Sequence, residues 1–192
     1  MAALIAAARD PDFPAEIVLV VSNRPEAPGL SLAREAGVRA VAIDHRSFTG
    51  DRAAHEAAID VALRDARAEL VCLAGYMRLL TPFLVEAWRG RMLNIHPSLL
   101  PAFPGLDTHS RALAAGVKLH GCTVHLVTQT MDEGPILAQA AVPVLPDDTA
   151  ETLAERVLVQ EHILYPRALR CFALGNRGVA PSANVALANP VA

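Results

Sequence analysis

The chain has 192 residues, with 17 Lys+Arg against 20 Asp+Glu, a formal net charge of −3 and 53% hydrophobic residues. That length and apolar content suit one ordinary globular domain and exclude a chain disordered throughout. The basic residues, nearly all Arg, are scattered singly and form no stripe for a phosphate backbone, so no nucleic-acid partner is expected.

Met1 to Ala8 lacks a basic leading region and reads as the start of a helix, not as a signal peptide. This helix opens the sequence with no capping residue and no strand in front of it. Asp10-Pro11-Asp12-Phe13-Pro14 breaks it, and the run Ile17 to Val21, ending in Ser22-Asn23, predicts a strand buried on both faces. Pro28 to Ala36 predicts a helix stopped by Gly37, Val38 to Ile43 a strand, Asp51 to Ala68 a long helix, and Leu70 to Ala74 another buried strand. Thr81-Pro82 places an N-cap before a proline and opens a short helix to Trp88; Met92 to Ile95 is a fourth strand. Pro97 to Gly105 is a Pro-rich loop, followed by a helix at Ser110 to Ala115 and two strands, Cys122 to Val127 and Pro135 to Val142. Asp148-Thr149-Ala150-Glu151 has the spacing of a capping box and opens a helix to about Leu174; Asn176 to Ala192 reads as a loosely attached tail. The alternation predicts an α/β fold over residues 1–174, a doubly wound and mostly parallel sheet flanked by helices, with ligands at the carboxyl ends of its strands.

Cys72, Cys122 and Cys171 are odd in number and contain no Cys-x-x-Cys pair, which argues against a disulfide framework and fits a reducing cytoplasm. Cys122 has no local activating neighbour and reads as a buried structural thiol. No apolar run approaches the ~20 residues of a membrane span, so no membrane partner is expected. No His/Cys/carboxylate spacing indicates a metal site, and no glycine-rich nucleotide motif occurs.

Asn94-Ile95-His96-Pro97 is the most informative stretch. Residues two apart in a strand share a face, so Asn94 and His96 point the same way at a carboxyl end. Two converging N–H donors suit an oxyanion developing on a carbonyl; the plainer reading is a polar strand end satisfied by the next loop. Asp132, in Thr130-Met131-Asp132-Glu133-Gly134-Pro135, would hold the tautomer of His96 if it reached it, although Asp and Gly before Pro also make an ordinary turn. Thr123 and His125 share a face and line a pocket in this reading, whereas His120 and His125 point apart. On the last helix Leu153, Val157, Leu164, Tyr165 and Ala168 form an inward stripe that Glu161 interrupts, so this carboxylate needs a partner, either an amine-bearing ligand or a core donor.

Leu73-Ala74-Gly75-Tyr76-Met77-Arg78-Leu79-Leu80, Leu93-Asn94-Ile95-His96-Pro97-Ser98-Leu99-Leu100-Pro101 and Met131-Asp132-Glu133-Gly134-Pro135-Ile136 together resemble the 10-formyltetrahydrofolate-dependent formyltransferases. Phe103-Pro104-Gly105-Leu106-Asp107-Thr108-His109, His120-Gly121-Cys122-Thr123-Val124-His125 and Gln160-Glu161-His162 narrow the resemblance to the phosphoribosylglycinamide formyltransferases, from Met1 to about Leu174. The resemblance implies direct transfer of a formyl group from 10-formyltetrahydrofolate, as co-substrate, to the amine of glycinamide ribonucleotide in purine synthesis, with small-molecule partners only and a monomer or homodimer. It implies that Asn94 and protonated His96 stabilise the oxyanion, that His96 protonates the leaving nitrogen, and that Asp132 keeps His96 charged and relays a proton through water. Arg52 matches the position that meets the folate tail. Met77, Arg78, Leu79 and Leu80, with Val127 to Asp132, match the walls of the pterin pocket. Glu161 matches the contact to the glycinamide part, with Pro97, Thr123 and His125 on the substrate side.

Two departures stand out. Leu158 occupies a position that is often polar in relatives, near the ribonucleotide. Met1 to Leu4 corresponds to the helix that follows an apolar strand and a glycine-rich phosphate turn, so that strand and turn are expected upstream of Met1. The alternative is a folate-binding protein without activity that begins at Met1. Methionyl-tRNA formyltransferase and formyltetrahydrofolate hydrolase fit less well, because each adds a further domain.

Overall fold

Strands β1 (Val20–Ser22) and β2 (Ala40–Ala42) pair in parallel, Val20 opposite Ala40 and Ser22 opposite Ala42, in the computed structural model of the protein, which describes residues 1–175. The chain divides into two units, Met1–Met92 and the part from Leu93 onward.

In the first unit, α1 (Ala2–Ala7) has no side-chain cap and is held by burial of Leu4 and Ile5. Helix α2 (Pro28–Glu35) starts on proline and gives way at Gly37, whose φ of +80° supplies the left-handed turn expected there. A 3-10 turn, His45–Phe48, leads to α3 (Arg52–Asp65), capped by the Asp51 carboxylate accepting from Ala54 N–H at 2.9 Å. After β3 (Val71–Leu73) comes α4 (Pro82–Ala87). Leu30, Ile59, Leu63, Leu84, Trp88 and Met92 form the core.

The strands here are shorter than predicted. Ile17 to Leu19 lie outside β1 because its ladder to β2 begins only at Val20, and β1 is half-buried, not buried on both faces. A cavity of about 450 Å3, lined among others by Leu4, Ile5, Val20, Leu30, Leu63 and Val71, runs beside it where apolar cover was expected.

In the second unit, β4 (Met92–His96), β5 (Leu119–Leu126) and β6 (Ile136–Pro143) pair antiparallel in that order. β6 ends at Pro143, as expected of a residue with no ladder donor. β5 starts earlier than predicted, since Leu119 to Gly121 pair with Ala141 to Pro143. Between α5 (Thr108–Ala114) and the end of the described chain, α6 (Ala150–Ala173) packs on β5 and β6. The predicted stripe of Leu153, Val157, Leu164, Tyr165 and Ala168 is buried, and the Tyr165 hydroxyl donates to the Leu93 carbonyl at 3.0 Å.

The capping box is offset by one residue from its predicted position. Thr149 is the N-cap and exchanges hydrogen bonds with Thr152, while Asp148 accepts from Leu145 N–H, the Thr152 hydroxyl and Arg156. Asp148 has a stronger partner in the Arg156 guanidinium, which leaves the capping role to the neighbouring hydroxyl. The predicted tail, Asn176 to Ala192, lies outside the described residues. Among the described residues no helix is long and apolar enough to cross a membrane.

Candidate active site

Asn94 and His96 alternate with Ile95 along β4, and the register sets Asn94 opposite His125 and His96 opposite Thr123 on β5. Cross-strand partners in an antiparallel pair have Cβ atoms about 4.5–5.5 Å apart, so the ladder alone gathers these four side chains on one face. The irregularity lies on the other side of β5, where β6 skips Leu137 between Ile136, opposite His125, and Ala138, opposite Val124, so the alternation along β5 is kept.

The Asn94 amide Nδ2 donates to His125 Nε2 at 3.2 Å, and His125 Nδ1 lies 3.0 Å from the Leu126 carbonyl. Together these bonds select the neutral tautomer with its proton on Nδ1. Burial lowers the His125 pKa in the same sense, outweighing the Leu126 carbonyl and Asp132, which act to raise it.

Asp132 sits in the turn between β5 and β6 with φ +58°, a left-handed conformation that Asp tolerates better than most residues. Its Oδ2 accepts from Gly105 N–H at 2.8 Å and lies 3.4 Å from His96 Nδ1, while Oδ1 is 3.7 Å from His125 Nε2. The turn is shaped by Gly134, where a Cβ would stand 1.7 Å from the Leu126 carbonyl oxygen. The other ring nitrogen of His96, Nε2, is 3.0 Å from the Phe103 carbonyl. His96 is 6% exposed, so its ring has an acceptor on each side and little water. An imidazole ringed in this way, beside an oriented amide, can present donors to a carbonyl oxygen as charge grows on it.

Thr123 departs from its expected place in a pocket lining. It is wholly buried; its hydroxyl donates to the Ser98 carbonyl at 2.7 Å and accepts from Leu100 N–H and Gln139 Nε2 at 3.0 Å each, which leaves no capacity for a ligand. Its work is to brace the loop after His96. Cys122 is buried beside it, and burial pushes its thiol up to about 12, the inert behaviour expected of it. His120 and His109 form a pair, Nε2 to Nδ1 at 3.2 Å. Among the described residues no group of three or more His, Cys, Asp or Glu is placed to hold a metal ion.

A family model described as formyl transferase matches residues 1–169. The chain belongs to the formyl transferase family. It is 41% identical to the phosphoribosylglycinamide formyltransferase of Bacillus subtilis (strain 168), over 92% of this chain and 90% of that protein. It is 60% identical to the crystal structure of phosphoribosylglycinamide formyltransferase from Brucella melitensis, with a TM-score of 0.86, covering 90% of this chain and 88% of that one. It is also 46% identical to the trifunctional purine biosynthetic protein adenosine-3 of Drosophila melanogaster over 93% of this chain, which spans 13% of that relative's length. The mixed α/β fold, strands flanked by helices with a long C-terminal helix, is that of the solved relatives.

Within this formyl transferase, the other expected site residues fall in both units. In the first, Arg52 is exposed at the head of α3, and Met77 and Leu79 are 77% and 60% exposed on the loop after β3, with Arg78 and Leu80 half-buried between and after them. In the second, Val127 and Pro97 are half-buried just past β5 and β4, and Leu158 is exposed on α6. Glu161 is half-buried on α6, and burial raises its pKa above the ordinary value. Sequence reasoning missed the Phe103 carbonyl and the Gly105 N–H, main-chain groups that carry no residue-type signal, and it missed His125 as the partner of Asn94. The cross-strand register that makes that pair was the signal available.

Proposed function

We propose that this formyl transferase moves a formyl group from 10-formyltetrahydrofolate to the amine of 5-phosphoribosylglycinamide. One observation carries the reading: at the end of β4 an amide held by His125 stands beside a histidine facing Asp132 at 3.4 Å. The amine nitrogen bonds to the formyl carbon, the carbonyl oxygen takes the negative charge, and the bond from that carbon to the folate nitrogen then breaks. Asn94 Nδ2 keeps a second N–H for that oxygen, since His125 takes only one. His96, charged, releases the Phe103 carbonyl to donate alongside Asn94 and then protonates the leaving folate nitrogen; Asp132 keeps the ring oriented and passes the amine's proton to water.

The exposed apolar Met77 and Leu79 suit a flat heterocycle, with Arg78 and Leu80 beside them on the same loop, and exposed Arg52 suits the acidic folate tail. Glu161, half-buried on a stripe that carries no other charge, suits the substrate amine; half-buried Pro97, just past β4, is assigned to the same substrate, and Thr123 acts through the loop it braces. Cys72, Cys122 and Cys171 are in no disulfide among the described residues, which suits a cytoplasmic setting.

The cavity beside β1 has the lining an added apolar strand would bury, and we assign it to a strand preceding Met1, with the phosphate turn after it. The deciding experiment is formyl transfer assayed on the 192-residue chain and on a form extended by roughly 12–15 upstream residues, one strand and turn. The extended form should turn over; if it binds neither substrate, the assignment fails.

A further inference from the structure

Helix α3 carries two carboxylates, Glu56 and Asp60, four residues apart and therefore on one face. Each grips one end of α4. Glu56 Oε1 accepts from Thr81 N–H at 2.8 Å and Oε2 from the Thr81 hydroxyl at 2.5 Å, while Asp60 Oδ1 accepts from Trp88 Nε1 at 2.9 Å. Thr81 is the N-cap of α4 and Trp88 its C-cap. The Thr81 side chain makes no cap bond to its own helix, because its hydroxyl is turned to Glu56. Glu56 is 2% exposed, so its charge is tolerable only with strong donors, and both come from the same residue.

A helix of six residues has too little cooperativity to fix its own position, so the α3 carboxylates set it. Apolar packing would hold the two helices together as well as a buried carboxylate does, but it would not grip one residue by both its backbone N–H and its side-chain hydroxyl. That residue closes the loop 74–80, which β3 opens at its other end. The loop carries exposed Met77 and Leu79 and turns at Gly75 with φ +71°. Such a loop needs an outside anchor to keep its apolar side chains presented to solvent.

We propose that Glu56 is a positioning residue for the folate co-substrate, holding the 74–80 loop in its binding conformation through the double bond to Thr81. The proposal rests on the formyl-transfer reading for its ligand, though not for the loop anchoring itself. Asp60 makes the comparable bond at the far end of α4, away from the loop, and is the control.

The test compares Glu56→Gln and Asp60→Asn in the extended protein. Glu56→Gln should raise the KM for 10-formyltetrahydrofolate about tenfold, the size of one lost hydrogen bond to a charged group, with kcat and the KM for the amine substrate within about twofold. Thr81→Val should reproduce the effect and Thr81→Ser should not. Asp60→Asn should lower the unfolding temperature and leave both KM values alone. Amide hydrogen exchange of residues 74–80 should quicken in Glu56→Gln and not in Asp60→Asn. Equal changes in the two variants, or loop exchange unchanged by Glu56→Gln, overturn the proposal. If the unsubstituted protein transfers no formyl group, the formyl-transfer reading falls and the folate role with it, while loop exchange still decides the anchoring.

Discussion

Asn94 and His125 face each other directly across β4 and β5, with the Asn94 amide donating to His125 Nε2 at 3.2 Å. The histidine's other nitrogen is committed to the Leu126 carbonyl, so it can meet Asn94 only as an acceptor and decides which way the amide points. His125→Ala should therefore lower kcat by about tenfold to a hundredfold, somewhat less than the 10²–10³ lost with an oxyanion donor itself, and change the KM values little. Combining it with Asn94→Ala should cost little more than Asn94→Ala alone, because both remove one oriented donor. Additive losses in steady-state kinetics would show that His125 acts separately.

Asp132 joins His96 to the backbone of the loop at Gly105. Asp132→Asn keeps the shape and an acceptor for Gly105 N–H but removes the charge facing His96. It should cut kcat at least about a hundredfold with folate binding retained. Near-normal turnover would remove Asp132 from the mechanism.

Gly134 should tolerate no side chain. A Cβ placed 1.7 Å from the Leu126 carbonyl oxygen forces the turn to shift, at roughly 1–3 kcal/mol for overpacking of this kind. Gly134→Ala should lower the urea midpoint and also kcat, since Asp132 sits in the same turn. A stable variant with full activity would mean that the turn adjusts without moving the carboxylate.

Acid should destabilise the fold through its histidines. Burial holds His120 at about 4, with His109 and His96 adding to the effect, and burial also lowers His109 and His125. The unfolded chain takes up these protons near pH 6.5 while the folded one does not, so stability is full above that pH and falls as pH drops towards 4. The slope is at most about 1.4 kcal/mol per pH unit for each such histidine. Asp44, held at about 2 by Arg46, and Asp148, held well below the usual carboxylate range by Arg156, keep their charge in the fold and add to the decline only below about pH 5, where the unfolded chain begins to protonate them. Urea titrations at several pH values should show the loss, and His120→Gln should flatten it; an unchanged slope would assign it to other groups.

What the sequence revealed and what it hid divide along physical lines. The helical stripe of α6 was legible because side-chain burial follows a fixed period, and the pairing of Asn94 with His96 because strand alternation does. The strand limits at Val20 and Leu119 were not, since a strand extends only as far as its partner's ladder and no partner is visible in one sequence. Thr81 was read correctly as an N-cap, yet its hydroxyl serves Glu56, 25 residues away. Asp132 looked like any turn residue until Gly134 and Gly105 gave the turn its shape and its anchor. Local chemistry announces itself in the chain, whereas a bond between distant residues needs the fold to bring them together.

The hydroxyl of Thr123 makes three bonds at a single oxygen and ties β5 to two other stretches of the second unit: the loop after β4, through the Ser98 carbonyl and the Leu100 amide, and β6, through the side chain of Gln139. The loop after His96 therefore cannot swing without unpicking the sheet beneath it. The histidine thus works from a fixed mount, its loop tied to the sheet at Ser98 and Leu100 and, further along, to the Asp132 carboxylate at Gly105.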